Sequence, residues 1–111
     1  MAALALAIAG AGSPAPARAE RPRNASLPAV SPDGRRIAFV AGRGDSVWQV
    51  YVVKADGGGT LRLTPHEEPR LDETPSWFPD GRRLAFQSDR TGRMEIWTVN
   101  ADGTHPRQVT R

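Results

Sequence analysis

Cysteine is absent from the 111-residue chain, which removes disulfides and thiolate metal ligands together. Compartment stays open on that count, since a cysteine-free protein suits a periplasm and a cytosol equally. Histidine is scarce: His66 and His105 each lack a second His or Cys at ligand spacing, which speaks against a zinc centre. No Gly-x-Ser-x-Gly elbow occurs. The nearest approach, Gly44-Asp45-Ser46-Val47-Trp48, breaks at its last position, so serine hydrolysis is not encoded. Apolar runs are short as well, and the longest, Ala2 to Ala9, cannot span a bilayer. The formal net charge of +3 comes from basic residues dispersed among acidic ones, which is no nucleic-acid footprint. These absences predict a chain that by itself is no enzyme, with no catalytic residues, no metal ligands and no cofactor.

What the chain does contain is an internal repeat. Ser31-Pro32-Asp33-Gly34-Arg35-Arg36-Ile37-Ala38-Phe39 returns as Phe78-Pro79-Asp80-Gly81-Arg82-Arg83-Leu84-Ala85-Phe86, 47 residues later. The match resumes at an offset of 46, with Val50-Tyr51-Val52-Val53-Lys54-Ala55-Asp56-Gly57 against Ile96-Trp97-Thr98-Val99-Asn100-Ala101-Asp102-Gly103. A period of this size belongs to propellers and arrays. Each copy holds four strand-type segments separated by turn signals. Pro-Asp-Gly presets a tight turn that ends on a residue able to take positive φ, and Asp-Gly marks a hairpin. Residues 35–41 and 82–88 are apolar on both faces, as strands covered on both sides are; nothing has helical period. The fold expected is all-β: two four-stranded antiparallel blades of an incomplete β-propeller, stacked face to face with Ile37, Phe39, Val50, Leu84, Phe86 and Ile96 in or beside the interface.

The second copy resembles the TolB-type β-propeller repeat, a relative of the WD-repeat blade. It carries Asp72-Glu73-Thr74-Pro75-Ser76-Trp77, Pro79-Asp80-Gly81, Leu84-Ala85-Phe86, Ser88-Asp89-Arg90, Gly92, Ile96-Trp97 and Asp102-Gly103. In the first copy Ala25 stands where the family pattern has an acidic residue, Val30 where it has Trp, and Ala41-Gly42-Arg43-Gly44-Asp45 replaces Ser-Asp-Arg-x-Gly. The resemblance implies a blade, not a reaction.

Around the repeat the organisation is simple. Residues 1–19 read as a signal peptide: an apolar run, then Gly, Ser and Pro, then Ala17-Arg18-Ala19 as an A-x-A cleavage site. A connector follows over 20–27, then blade 1 over 28–64, an interblade loop over 65–74 and blade 2 over 75–111. Abundant Ala, Arg, Gly and Pro fit a bacterial source, and the leader predicts a periplasmic or secreted protein. Propellers close with about four to eight blades. The chain is therefore read as a piece of a longer protein, or as a product that pairs with further blades or with copies of itself.

Smaller motifs yield to the repeat. Arg43-Gly44-Asp45 lies in a turn-rich loop, so adhesion is set aside. Asn24-Ala25-Ser26 is a formal glycosylation acceptor that matters only on a eukaryotic secretory route. His66-Glu67-Glu68 reads as a solvated interblade loop, and Asn100-Ala101-Asp102-Gly103 as a hairpin turn rather than a calcium loop, because its counterpart begins with Lys54. Tyr51, Trp77 and Trp97 recur at blade positions and read as packing residues; Trp48 has no aromatic counterpart and is the expected exposed anchor. The function expected is a non-catalytic, exported TolB-like module that binds a protein partner or ligand through blade loops. The alternative is the N-terminal propeller of an exported hydrolase, either prolyl oligopeptidase-like or fused to an amidohydrolase.

Overall fold

The computed structural model describes residues 24–43, 47–65 and 70–111. The leader over 1–19, the His66-Glu67-Glu68 segment and most of the Arg43-Gly44-Asp45 loop lie outside the described residues. Eight strands form two consecutive units. Blade 1 comprises β1 (Ser26–Val30), β2 (Arg36–Arg43), β3 (Val47–Lys54) and β4 (Leu61–Arg62). Blade 2 comprises β5 (Arg70–Trp77), β6 (Arg83–Ser88), β7 (Glu95–Asn100) and β8 (Arg107–Gln108). Within each blade successive strands pair antiparallel. A short parallel bridge, Val47 opposite Arg70 and Trp48 opposite Leu71, ties β3 to β5 at one corner.

The turns form as their residues dictate. The Gly34 amide donates to the Ser31 carbonyl at 2.9 Å and the Gly81 amide to that of Phe78 at 2.9 Å, both glycines at positive φ (73° and 70°). The Asp of each turn accepts a backbone N–H two residues on, Arg35 at 2.9 Å for Asp33 and Arg82 at 2.8 Å for Asp80, the usual Asx arrangement. Asn100-Ala101-Asp102-Gly103 is the hairpin turn expected of it: the Gly103 amide reaches the Asn100 carbonyl at 2.8 Å, and Asp102 accepts from Thr104.

The first strand of each blade begins earlier than the sequence suggests. β1 starts at Ser26, inside the expected connector, and β5 at Arg70, inside the expected interblade loop. The blade bounds at 28 and 75 follow the repeat, whose match does not extend ahead of Pro28 and Pro75. Both strands instead run through a bulge just ahead of it, with Leu27 before Pro28 and Thr74 before Pro75, each at a φ of 52°. Strands β4 and β8 are two residues long, and a threonine hydroxyl extends each ladder. The buried Val50 amide donates to Thr64 Oγ1 at 3.0 Å, and Ile96 to Thr110 Oγ1 at 2.8 Å. Thr64→Val should leave the Val50 N–H without this partner and cost about 1–2 kcal/mol in a chemical denaturation curve; Thr64→Ser should restore most of it.

The blades stack front to back. Ala38, Val40, Val50, Val52 and Leu63 of blade 1 meet Leu84, Phe86 and Val99 of blade 2 in one buried cluster. Val50, Leu84 and Phe86 lie where expected, but Ile37, Phe39 and Ile96 do not. Ile37 and Phe39 point to the opposite face of blade 1, where Phe39 stacks on Tyr51 with ring centroids 5.5 Å apart. Ile96 lies on the far face of blade 2 and is 40% exposed. The reason is directional: repeated units stacked in one sense present the same repeat position toward the same side. Leu84 and Phe86 therefore enter the junction while their counterparts Ile37 and Phe39 face away from it.

Candidate functional site

In a meander, alternate turns fall at the same end of the sheet, so the Pro-Asp-Gly and Ala-Asp-Gly turns of both blades share one end. Between the blades at this end opens a cleft of about 560 Å³, lined by Arg36, Lys54 and Leu61 from blade 1 and by Arg82, Asn100 and Asp102 from blade 2. Arg36 is held in place: its Nη2 donates to the Gly81 carbonyl at 2.6 Å and its guanidinium lies 4.7 Å from the Trp77 ring centre. Trp77 in turn donates Nε1–H to the Ala29 carbonyl across the junction at 2.8 Å. Three cationic side chains thus face one carboxylate, a balance suited to an anionic ligand group. Two further clefts at this end belong to one blade each, about 360 Å³ beside Arg83, His105 and Arg107 and about 580 Å³ beside Asp33, Arg35 and Asp56.

Hydrogen bonds keep several carboxyls ionised. The Thr104 hydroxyl, then the Thr104 amide, hold Asp102 below its ordinary 3.8. The Ser31 hydroxyl and the Arg35 amide do the same for Asp33, and the Thr110 hydroxyl and Arg93 lower Glu95 from 4.5. A carboxyl whose folded pKa is depressed adds stability that is present above its unfolded pKa and is lost as pH falls through the lower, folded value. The thermal midpoint should therefore drop on acidification below about pH 4, and Asp102→Asn should flatten part of that drop in a pH series of melts.

Several sequence expectations move. Trp48, expected as an exposed anchor, is partly buried and packs against the core cluster, because its strand position lies on the junction face, opposite Gly42. Trp77 and Trp97 pack there too, as their recurrence suggested. His105 lies at the rim of the 360 Å³ cleft, with Nδ1 3.3 Å from the Asn100 amide nitrogen. Among the described residues no cluster of three or more His, Asp or Glu could hold a metal ion, and no helix is long and apolar enough to cross a membrane.

One polar centre went unread in the sequence. Asp72, fully buried, accepts from Arg70 at 3.4 Å and from Arg90 at 3.4 Å. Arg90 also donates to Ser88 Oγ at 3.0 Å and lies 4.4 Å from the Trp97 ring centre. The Ser88-Asp89-Arg90 run carries the signal, but Asp72 falls within the expected interblade loop over 65–74, where the structure has strand β5. This centre ties β5 to the end of β6 within blade 2, at the end opposite the Asp-Gly turns.

The sequence profile of the TolB beta propeller domain matches residues 14–111. The chain belongs to the TolB β-propeller family. Among solved structures, a putative TolB from Agrobacterium tumefaciens shares 34% identity over 83% of this chain and 32% of its own, with a TM-score of 0.72. TolB from Acinetobacter baumannii shares 25% identity over 79% of this chain and 21% of its own, TM-score 0.64. The same blade arrangement occurs in puromycin hydrolase, at 24% identity, 81% of this chain, 14% of that one and a TM-score of 0.68. This TolB-family chain thus spans about a third or less of these relatives. No curated protein matches it.

Proposed function

We infer that this TolB-family chain is a non-catalytic, exported binding module whose Asp-Gly end receives a carboxylate-bearing segment of a protein partner. The observation that carries the reading is the interblade cleft, where Arg36 is fixed by Gly81 and Trp77 while Lys54 and Arg82 flank it. A preset cation loses little conformational freedom on binding, which favours recognition of an anionic group. A polyglutamate peptide should bind in a calorimetric titration and weaken as salt rises. Lys54→Glu with Arg82→Glu should reduce that affinity at least about tenfold. Unchanged affinity in the double variant would remove the cleft from consideration.

Export has its own test. Material recovered outside the cytoplasm should begin near Glu20 when its N-terminus is sequenced, and a mature protein that begins at Met1 would sink this part of the reading. A second reading, the propeller portion of an exported hydrolase, draws on the blades shared with puromycin hydrolase. The coding sequence beyond Arg111 separates the two: a Gly-x-Ser-x-Gly elbow or a His-x-His motif there supports a hydrolase, and further blades support a binding module. The purified chain alone should turn over no peptide or amide substrate.

A further inference from the structure

The interblade cleft changes character from one end to the other. Its blade 1 wall is a row across three neighbouring strands, with Arg36 on β2, Val52 and Lys54 on β3 and Leu61 on β4. Arg36 stands opposite Lys54 in its ladder and Val52 opposite Leu61, so all four side chains leave the same face of the sheet. The turns of blade 2 meet this row in the same order. The Arg36 guanidinium bonds the Gly81 carbonyl in the first turn. Gly103 in the second lies against blade 1 beside β4, where a Cβ would come within 3.3 Å of the Leu63 carbonyl. Arg36 and Arg82 therefore line one end of the cleft, Leu61 and Asp102 the other, and Lys54 stands between.

Two of these side chains are not what the repeat supplies. The counterpart of Lys54 is Asn100, and that of Leu61 is Arg107. Arg107 is exposed on its strand, so blade geometry demands no apolar residue at this position. Leu61 is nevertheless leucine, 39% exposed, and with Val52 and Ala101 it makes an apolar step in an otherwise polar cleft. Asp102 accepts from the Thr104 hydroxyl and amide. Its carboxylate at the Leu61 end repels a second carboxylate there, which is discrimination by an unfavourable contact.

We propose that the segment received by this cleft carries an apolar residue two positions from its acidic one, with the carboxylate beside Arg36 and Arg82 and the apolar side chain against Leu61. The inference rests on the carboxylate-binding reading above and adds the residue that selects among acidic segments. Side chains two positions apart share one face of an extended chain and stand about 7 Å apart. Arg36 and Leu61 are two strands apart, about 10 Å, and the length of a glutamate side chain closes the difference.

The test is a set of calorimetric titrations of the full chain with Gly/Ser peptides, capped at both ends so that no terminal charge contributes, each holding one three-residue core. Glu-Ser-Leu should bind about tenfold more tightly than Glu-Ser-Ser or Glu-Ser-Glu, and Gln-Ser-Leu should lose that affinity. Leu61→Ser should abolish the preference for leucine over serine while polyglutamate affinity stays within about twofold. Leu61→Arg, which installs the residue that blade 2 carries at this position, should turn the preference toward Glu-Ser-Glu. Asp102→Asn should narrow the gap between Glu-Ser-Leu and Glu-Ser-Glu. Equal affinity of the wild type for the Leu and Ser peptides, or a leucine preference that survives Leu61→Ser and Leu61→Arg, would overturn the inference and leave polyglutamate binding untouched. Absence of polyglutamate binding would overturn the carboxylate reading and this inference with it.

Discussion

Phe86→Ala is expected to lower the unfolding free energy by about 4 kcal/mol, because a side chain 1% exposed at the centre of the junction leaves both a transfer loss and a cavity. Leu84 and Val99 from its own blade and Val40 and Val50 from the other surround the same cluster, and β-sheet backbones on both sides limit collapse around the gap. The Arg90 guanidinium, 5.5 Å from the Phe86 ring centre, would lose a face to rest on. Phe86→Leu, which keeps most of the volume, should cost about a third as much. The comparison is read from denaturation midpoints at constant slope; an unchanged midpoint in Phe86→Ala would remove this ring from the core.

Asp72→Ala should cost about 3 kcal/mol. Removing one member of a buried ion cluster strands the others, which typically costs about 3–5 kcal/mol. The lower end applies because the side chains of Arg70 and Arg90 keep 15% and 16% exposure while Asp72 keeps none. Asp72→Asn retains an acceptor but not the charge and should fall between alanine and wild type. Local breakage would show as faster amide exchange at Leu71, whose N–H donates to Asp89 at 2.9 Å, and at Arg90. Denaturation midpoints that match wild type in both variants would make the cluster an ornament of the surface.

The repeat made the fold legible. Two Pro-Asp-Gly turns, two Asp-Gly hairpins and the matched strand runs place six of the eight strands with little error, β1 and β5 aside, because a turn that requires positive φ leaves few alternatives to Gly. The direction in which each strand faces could not be read. Residues 37–40 are apolar at every position, so the period-2 signal that assigns faces is silent, and only the stacking sense shows that Ala38 and Val40 go inward. The starts of the first strands are hidden for another reason: a bulge at Leu27 and at Thr74, each at a φ of 52°, interrupts the ladder ahead of the repeat. Thr64 and Asp72 were invisible because their roles depend on partners about 14 to 18 residues away, across strands whose register the sequence did not give. The Asp-Gly end was legible as turns, while the cleft needed both blades in place.

The front-to-back stack has a consequence for synthesis on the ribosome. Strand pairings inside blade 1 join residues near in sequence, such as Arg43 opposite Val47 and Arg36 opposite Lys54, so that blade can pair early as the chain emerges. Its junction contacts wait for residues some 45 to 48 positions later, as in the Arg36 bond to Gly81 and the Trp77 bond to Ala29. Until β6 leaves the exit tunnel, the wall of Ala38, Val40 and Val50 is bare on a nascent chain, and for that interval it is a surface for a chaperone to hold.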